Sequence, residues 1–348
     1  MITMVLIQIV LAAGVVLAVI SFAAFHTWLE RKQSALMQDR IGANRATIFG
    51  FRALGLFHPL ADAIKMFMKE DFIPAKADKF LHTLAPLLSL TFALVAFAAI
   101  PFGDVLRIGS LEITLQAAPI NVGLLYVFAM LSMGVYGVIL AGLSSNSNYA
   151  FLGGLRASSQ MLAYEITLGA TIVGIVMIYG SLDLQEIVRR QGHLLWGWLP
   201  MWGFLVQPLG LLLFLTAGIA ETKRIPYDVP EGESEIVGYF VEYSGMKFGM
   251  FYFTDFIETI LIASLTTTLF FGGWQVPFLH LLRLPGLAVT LAQVLAFILK
   301  VCFFCWLFMT VRWTLPRFRY DQLMNLGWKI VFPLSLANLV VTALVLLF

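Results

Sequence analysis

The stretch LHTLAPLLSLTFALVAFAAIPFG at residues 81–103 decides the fold class, because it runs for 23 residues without one Asp, Glu, Lys or Arg. A helix needs about 20 mainly apolar residues to cross roughly 30 Å of bilayer hydrocarbon. In lipid, only a helix or a closed barrel satisfies the backbone, and the alternating pattern of barrel strands is absent from the sequence. The stretch therefore predicts a transmembrane helix.

Blocks of this kind recur along the 348-residue chain, which is 60% apolar and 12% charged. A soluble domain is about 45–50% apolar and about 25% charged. We predict an all-α polytopic membrane protein with about eight transmembrane helices, folded as a single membrane-embedded domain over 1–348. The predicted spans are 4–25, 81–103, 120–143, 158–180, 202–220, 250–273, 291–315 and 330–348.

The basic residues predict the orientation of these helices. Of the 22 Lys and Arg, 17 lie in the odd-numbered loops if Arg312, near the end of the seventh span, is counted with the loop that follows it; 4 lie in the even-numbered loops, and Lys300 lies inside the seventh span. Basic loops stay on the cytoplasmic side. We therefore expect the odd loops to face the cytoplasm, with both termini periplasmic in a bacterial inner membrane.

The first cytoplasmic loop, 26–80, is too long for a simple connection. From Phe49 to Met68, apolar residues interleave with charged ones, and the helical spacing is strongest after Pro59. This pattern predicts an amphipathic helix lying in the membrane interface, with Pro59 near its start or at a bend. A surface anchor without chemistry is the alternative.

The second polar concentration is the acidic cytoplasmic loop 221–249, where six acids outnumber three bases. A solvated acidic loop is one interpretation, but interleaved apolar residues such as Ile236 and Tyr239 favour a segment that packs against something. The acids are Glu221, Asp228, Glu231, Glu233, Glu235 and Glu242.

A third group of charges lies within the apolar blocks, namely Glu165, Asp255, Glu258 and Lys300. A charge at the bilayer centre costs about 2.5–3.5 kcal/mol on insertion scales, so such residues usually mark ion or substrate paths. Neutral, hydrogen-bonded carboxylic acids are the alternative.

Other chemistries are disfavoured by the sequence. Cys302 and Cys305 are the only cysteines, and an iron–sulfur cluster needs four ligands. We find no zinc pattern, nucleotide fingerprint or nucleophile motif, and expect no metal site, no catalytic residue in this chain alone and no nucleic-acid partner.

Three stretches resemble a known family. They are Glu30-Arg31-Lys32 with Gln38, Arg40, Ile41, Gly42 and Asn44; Glu221-Thr222 through Arg224, Pro226 and Asp228 to Glu231-Gly232-Glu233-Ser234-Glu235 and Glu242-Tyr243; and Pro316-Arg317-Phe318-Arg319-Tyr320-Asp321-Gln322-Leu323-Met324. Through them the chain resembles the quinone-site membrane subunit of respiratory complex I, NADH:quinone oxidoreductase, which is the H subunit in bacteria and subunit 1 in mitochondria.

The sequence also departs from that family's pattern. Ala43 replaces a usual Pro, Lys223 stands where Asn is more common, Asp255-Phe256 replaces Glu-Tyr, and Glu258 replaces Asn. The changes at 223, 255 and 258 alter the charge geometry that the resemblance would otherwise imply.

The resemblance implies a subunit that admits a lipid-soluble quinone, ubiquinone or menaquinone, from the bilayer to a tunnel ending in peripheral-arm subunits. Flavin and iron–sulfur clusters are expected in those partners, and small and antiporter-like membrane subunits are expected beside the chain. The implied tunnel residues are Glu30, Arg31, Asp62, Lys65 and Arg224.

The resemblance also implies a proton axis that links quinone reduction to proton translocation. Matched by position are Glu165, Glu221, Glu231, Glu233, Glu235 and Asp255, to which we add Asp228, Glu242 and Glu258 from the same segments. Neighbouring carboxylates cannot all ionise, so such a cluster titrates as a coupled unit.

The sequence leaves two other functions open. The related membrane subunit of an energy-converting hydrogenase shares the fold and the acidic loop, although Glu-Tyr-Ser-Gly at 242–245 favours the quinone enzyme. An independent proton-coupled transporter is the second alternative, and the lack of a visible inverted repeat weighs against it.

Overall fold

The computed structural model describes residues 2–108, 111–195, 199–230, 238–277 and 285–347. Long helices dominate it, which confirms the predicted all-α membrane fold. The helices are α1 (Ile2–Met37), α2 (His58–Met68), α3 (Lys79–Ala96), α4 (Gly123–Ser144), α5 (Asn148–Tyr179), α6 (Leu184–Gln191), α7 (Gly203–Val206), α8 (Pro208–Glu221), α9 (Gly245–Phe270), α10 (Gly286–Thr314), α11 (Tyr320–Leu326) and α12 (Phe332–Leu347).

Two short antiparallel hairpins, which the hydropathy pattern does not predict, lie between helices. The first pairs β1 (Val105–Ile108) with β2 (Leu111–Thr114), and the second pairs β3 (Leu194–Leu195) with β4 (Leu199–Pro200). Both fall in even-numbered connections of the predicted topology.

Seven of the eight predicted spans correspond, in the described residues, to single helices long enough to cross a membrane. Within the described ranges, seven helices are long and apolar enough to cross a membrane, the last being α11 and α12 with π-helical residues Gly327–Val331 between them. The fifth predicted span is divided at Gln207, whose φ of −134° breaks the helix before Pro208, because proline disfavours helical geometry in the residue before it. The resulting α8 has 14 residues and rises about 21 Å.

Helix boundaries also differ from the predicted spans. Helix α1 continues to Met37 instead of ending near residue 25, so Glu30 and Arg31 lie on a helix and not in a loop. Helix α5 begins at Asn148, ten residues before its predicted start. The amphipathic helix is present as α2, with Pro59 in its first turn, as predicted. The first part of the predicted amphipathic segment, 49–57, forms turns and a short 3₁₀ helix instead of continuing α2.

Helix α9 is the central element of the bundle. Every residue from 256 to 270 is buried, and the helix contacts α1, α2, α3, α8 and α10. Hydroxyls of its buried Ser264, Thr267 and Thr268 donate to carbonyls one turn earlier, so polar groups are satisfied within the helix. This helix carries Asp255 and Glu258 into the interior of the protein.

Candidate functional site

A buried ion-pair cluster joins the C-terminal parts of α1 and α10 to the segment after α8. The carboxylate of Glu30 accepts a hydrogen bond from Arg224 Nη1 at 2.9 Å and forms an ion pair with Arg312 Nη1 at 2.7 Å. The guanidinium of Arg224 lies 4.1 Å from the ring centroid of Phe256. Two cations thus share one carboxylate, and the aromatic face gives Arg224 a further favourable contact.

His26, one turn before Glu30 on α1, lies beside this cluster. Its ring meets Phe256 edge-on with centroids 5.4 Å apart. The side chain is fully buried, and neither ring nitrogen has a hydrogen-bond partner among the described residues. His26 was not among the predicted site residues, because a lone histidine at a helix end has no distinguishing local pattern.

A second, more exposed network lies between α1 and α2. Asp62 forms ion pairs with Arg31 at 2.5 Å and with Lys65 at 3.1 Å. The structure therefore separates the five predicted tunnel residues into two groups, with Arg31, Asp62 and Lys65 in this network and Glu30 and Arg224 in the buried cluster.

An apolar cavity of about 620 Å³ lies between α1, α2, α3 and α9. Its walls include Phe25 of α1, Ala63 and Met66 of α2, and Gly249 of α9. The amphipathic helix thus forms one wall of a cavity and is not only a surface anchor. Mostly apolar walls suit a long hydrocarbon chain.

Two smaller cavities adjoin this region and share lining residues. Met66 lines both the apolar cavity and a cavity of about 300 Å³ beside Lys65 and Tyr243. Phe248 lines this second cavity and also a third of about 200 Å³. The third is polar, and its walls are Lys223, Arg224, Asp228, Phe240, Phe248, Tyr252, Asp255, Phe256 and Arg312.

A buried lysine stands between the acids of α9. Lys223 Nζ lies 3.0 Å from Asp255 Oδ1 and 3.4 Å from Glu258 Oε2. Burial opposes the charge on this ammonium, but the two carboxylates outweigh it and hold the pKa of Lys223 well above its ordinary value. Lys223 therefore remains a cation, and it was not among the predicted site residues.

The acid at the end of α8, Glu221, is buried next to this group. Its carboxylate oxygens have no hydrogen-bond partner among the described residues. Glu165, Glu258 and Lys223 are close enough to act on it electrostatically. The structure thus brings Glu165, Glu221, Asp255 and Glu258 into one electrostatic neighbourhood.

The hydrogen-bond partner of Glu165 lies on another helix, because the neighbouring positions on α5 are mainly apolar. Ser132 Oγ on α4 donates to Glu165 Oε1. The side chain is partly buried. No sequence signal identified Ser132, because serine is common in transmembrane helices.

Asp228 and Tyr227, in the described first part of the acidic loop, contact the segment after α10. Arg317 Nη2 donates to Asp228 Oδ2 at 2.7 Å, and the Phe318 ring stacks on Tyr227 at 5.5 Å. Two of the three sequence stretches that carry the family resemblance therefore contact each other. Asp228 also lines the polar cavity.

The remaining predicted acids are Glu242, Glu231, Glu233 and Glu235. Glu242 is partly exposed and precedes Tyr243, whose ring stacks on His82 with centroids 3.9 Å apart. Burial raises the pKa of the Tyr243 hydroxyl to about 12, so Tyr243 stays protonated at neutral pH. Glu231, Glu233 and Glu235 lie outside the described residues.

Comparison with known proteins supplies the family. The profile of the NADH dehydrogenase family matches residues 9–343. The chain is 45% identical over 328 residues to the first of the numbered H subunits of NADH-quinone oxidoreductase in Cytophaga hutchinsonii, a match that covers 94% of this chain and 93% of that relative. The chain belongs to this family. It is also 45% identical over 326 residues to the H subunit of Thermomicrobium roseum, covering 92% and 91%, and 43% identical over 335 residues to subunit 8 of Rhodothermus marinus, covering 94% and 93%.

Membership of this family confirms the resemblance seen in the three sequence stretches. The three relatives are quinone oxidoreductase subunits, which favours this class over the hydrogenase subunit that the sequence left open. The side chains of Lys223, Asp255 and Glu258, where the sequence analysis expects departures from the family pattern, meet in one ion-paired group. The acid at 258 is thus accompanied by a cation at 223.

Proposed function

We propose that the chain is the quinone-tunnel and proton-coupling membrane subunit of a proton-pumping NADH:quinone oxidoreductase. In this role residues 1–348 act as one membrane-embedded domain of the bacterial inner membrane. The substrate is a membrane quinone, ubiquinone or menaquinone. The partners are peripheral-arm subunits that hold flavin and iron–sulfur clusters, small and antiporter-like membrane subunits, and lipid. The names of the relatives support the enzyme class.

The observation that carries the quinone role is the series of three cavities with shared lining residues. An apolar cavity of about 620 Å³ beside α2 suits the isoprenoid tail. The polar cavity, where Arg224 and Tyr252 offer hydrogen-bond donors, suits the carbonyl groups of a quinone headgroup on its path. Met66 and Phe248, each lining two of the cavities, mark the route between them.

The predicted tunnel residues take distinct roles along this route. Asp62, held between Arg31 and Lys65, orients α2 against α1 and keeps charge near the entrance. Glu30 fixes the guanidinium of Arg224 at the polar cavity. Breaking either arrangement changes the shape or charge of the path without touching the flavin-bearing partners.

The coupling role rests on the concentration of carboxyl groups around α8 and α9. Glu221, Asp255 and Glu258 lie in or beside one buried group, and Glu165 acts on Glu221 from α5. Such acids exchange protons as a coupled set when a nearby charge changes. Asp228, Glu242 and the acids Glu231, Glu233 and Glu235 extend the set along the same loop.

The quinone role is tested in the assembled enzyme with Asp62→Ala and Arg224→Ala. We expect quinone reductase activity to fall roughly tenfold, about 1.4 kcal/mol in activation free energy, because each change disturbs the cavity series. NADH oxidation by an artificial acceptor that takes electrons at the flavin should persist. Arg224→Ala leaves Glu30 paired with Arg312, so it does not strand a buried carboxylate.

Asp104→Ala is the matched control, because it removes a carboxylate from a half-exposed ion pair with Arg189 and Asp104 lines none of the three cavities. Its quinone kinetics should equal those of the unmodified enzyme. Wild-type kinetics for Asp62→Ala and Arg224→Ala over a full quinone titration would remove both residues from the quinone path.

A further inference from the structure

Lys223 is a buried cation beside three acids, Asp255, Glu258 and Glu221. The residue is 1% exposed, and its ammonium also lies 5.7 Å from the ring centroid of Tyr239. Its backbone φ of +55° is in the left-handed region, which a lysine adopts only when surrounding contacts require it. The chain accepts backbone strain and the burial of a cation at this site, so the ion pairs must compensate for both.

Lys223 by itself balances only one of the two acids of α9. One ammonium faces the carboxyl groups of Asp255 and Glu258, at 3.0 and 3.4 Å. The acids stand three positions apart on α9 and therefore lie on one face. With both ionised, the group carries a net negative charge in the interior, whereas one bound proton makes it neutral. The acid that Lys223 does not balance is therefore the candidate for proton exchange.

The geometry distinguishes the two acids. Asp255 is nearer to Lys223 Nζ and lines the polar cavity. Glu258 is farther from Nζ, is more deeply buried, with a side chain 6% exposed against 14% for Asp255, and acts electrostatically on Glu221. Asp255 therefore faces the proposed quinone side, and Glu258 faces the acid at the end of α8.

We infer that Lys223 is a positioning residue that holds Asp255 as a fixed carboxylate and makes Glu258 the carboxyl group that gains and loses the coupled proton. The inference rests on the proposed coupling function. A proton arriving from the side of the polar cavity binds the Glu258 carboxylate and gives the neutral acid. Burial holds Glu221 in its protonated form, so Glu221 must first pass its own proton to the next group on the path. Transfer of the Glu258 proton to Glu221 then restores the Glu258 anion beside Lys223.

The charged groups around Glu258 set the pH at which this exchange occurs. They are Asp255 on its own helix, Lys223 and Arg224 after α8, and Glu221 at the end of α8. Without the Lys223 cation, Asp255 and Glu258 share the site as two acids, and the last proton is released less readily. Loss of the cation should therefore move the pH profile of proton translocation toward alkaline pH.

The test measures quinone-linked proton translocation against pH in sealed vesicles, normalised to NADH oxidation by a flavin-level acceptor. Glu258→Gln should lower translocation by roughly tenfold, and Asp255→Asn by a smaller factor. Lys223→Gln should move the pH profile by about one unit toward alkaline pH, and Lys223→Arg should restore it. Lys247→Gln, which breaks a separate ion pair on α9 with Asp71, is the matched control and should leave the profile in place.

A double variant keeps the test decisive if Lys223→Gln fails to assemble. Lys223→Gln with Asp255→Asn removes one charge of each sign and leaves Glu258, so the enzyme should assemble and translocate more protons than Glu258→Gln. A larger loss from Asp255→Asn than from Glu258→Gln would overturn the inference while leaving the coupling function in place. If each of the three single variants, Asp255→Asn, Glu258→Gln and Glu165→Gln, translocates protons like the wild type, the coupling function itself is rejected.

Discussion

At the scale of single residues, partners compensate the buried charges of Glu30 and Lys223 and the partly buried charge of Lys300. Glu30 has two arginine partners and Lys223 has two carboxylates. Lys300, the intramembrane cation, donates instead to the carbonyls of Phe271, Gly273 and Gln275 at 2.7–2.9 Å. These bonds satisfy carbonyls just beyond the end of α9, so they give Lys300 a structural role.

Glu165 belongs to this scale, and its exchangeable charge can be tested separately from its hydrogen bond. Glu165→Gln keeps an oxygen that accepts from Ser132 Oγ but removes the exchangeable charge. We expect quinone-linked proton translocation in sealed vesicles to fall roughly tenfold, about 1.4 kcal/mol of barrier. Assembly, followed by co-purifying subunits, should be unchanged.

Ser132→Ala is the matched control for Glu165→Gln, because it removes the hydrogen bond and leaves the charge. A packing role for Glu165 predicts that Ser132→Ala is as harmful as Glu165→Gln. A coupling role predicts that Ser132→Ala is mild and that Glu165→Asp, which keeps the charge, retains part of the translocation. Normal translocation by Glu165→Gln would refute the coupling role.

At the scale of elements, close helix packing depends on glycine at chosen positions. Helices α3 and α4 approach where Gly137 faces Ala85 and Ser89, and a Cβ added at Gly137 would lie 2.8–2.9 Å from atoms of α3. Small residues let transmembrane helices approach in this way. Gly134, one turn earlier on α4, has nothing within 4 Å of such a Cβ.

This contrast predicts different outcomes for the same substitution at two neighbouring glycines. Both alanine variants gain helix propensity of about 0.8–1.0 kcal/mol, but Gly137→Ala also overpacks the interface, which typically costs about 1–3 kcal/mol. We expect Gly137→Ala to lower the thermal midpoint of the assembled enzyme relative to Gly134→Ala. Equal midpoints for the two variants would mean that the α3–α4 contact is looser than the structure indicates.

At the scale of the whole molecule, the orientation in the membrane follows from the distribution of Lys and Arg. Arg52 is exposed in the segment before α2, and His193 is exposed after α6, in connections predicted to face opposite sides. The divided fifth span is compatible with this orientation only if α7 and α8 together complete one crossing. The orientation is therefore a prediction of its own.

Single cysteines introduced at Arg52 and His193 test it in a Cys302→Ser, Cys305→Ser background. An impermeant thiol reagent applied outside intact cells should label His193→Cys and spare Arg52→Cys, because the positive-inside rule retains the basic loop in the cytoplasm. Arg317→Cys, after α10, should be spared as well. Labelling of Arg52→Cys or Arg317→Cys from outside would reverse the topology.

The sequence by itself determined the membrane-embedded helical fold and the amphipathic helix α2, and it predicted the acids of the candidate site. These are local properties, since hydropathy over about 20 residues and helical periodicity decide them. The ends of the helices were less well determined. Helix α1 extends to Met37 and not to residue 25, and its polar residues Glu30 and Arg31 pair with residues of other segments that the sequence does not specify.

Only the tertiary structure decided which charges meet. The pairing of Glu30 with Arg312, and of Lys223 with Asp255 and Glu258, joins helices that are distant in the chain. Burial makes an unpaired charge costly, so a group that stays ionised in the interior must have a partner. The identity of that partner depends on which helices pack together, and the local pattern of residues does not encode that packing.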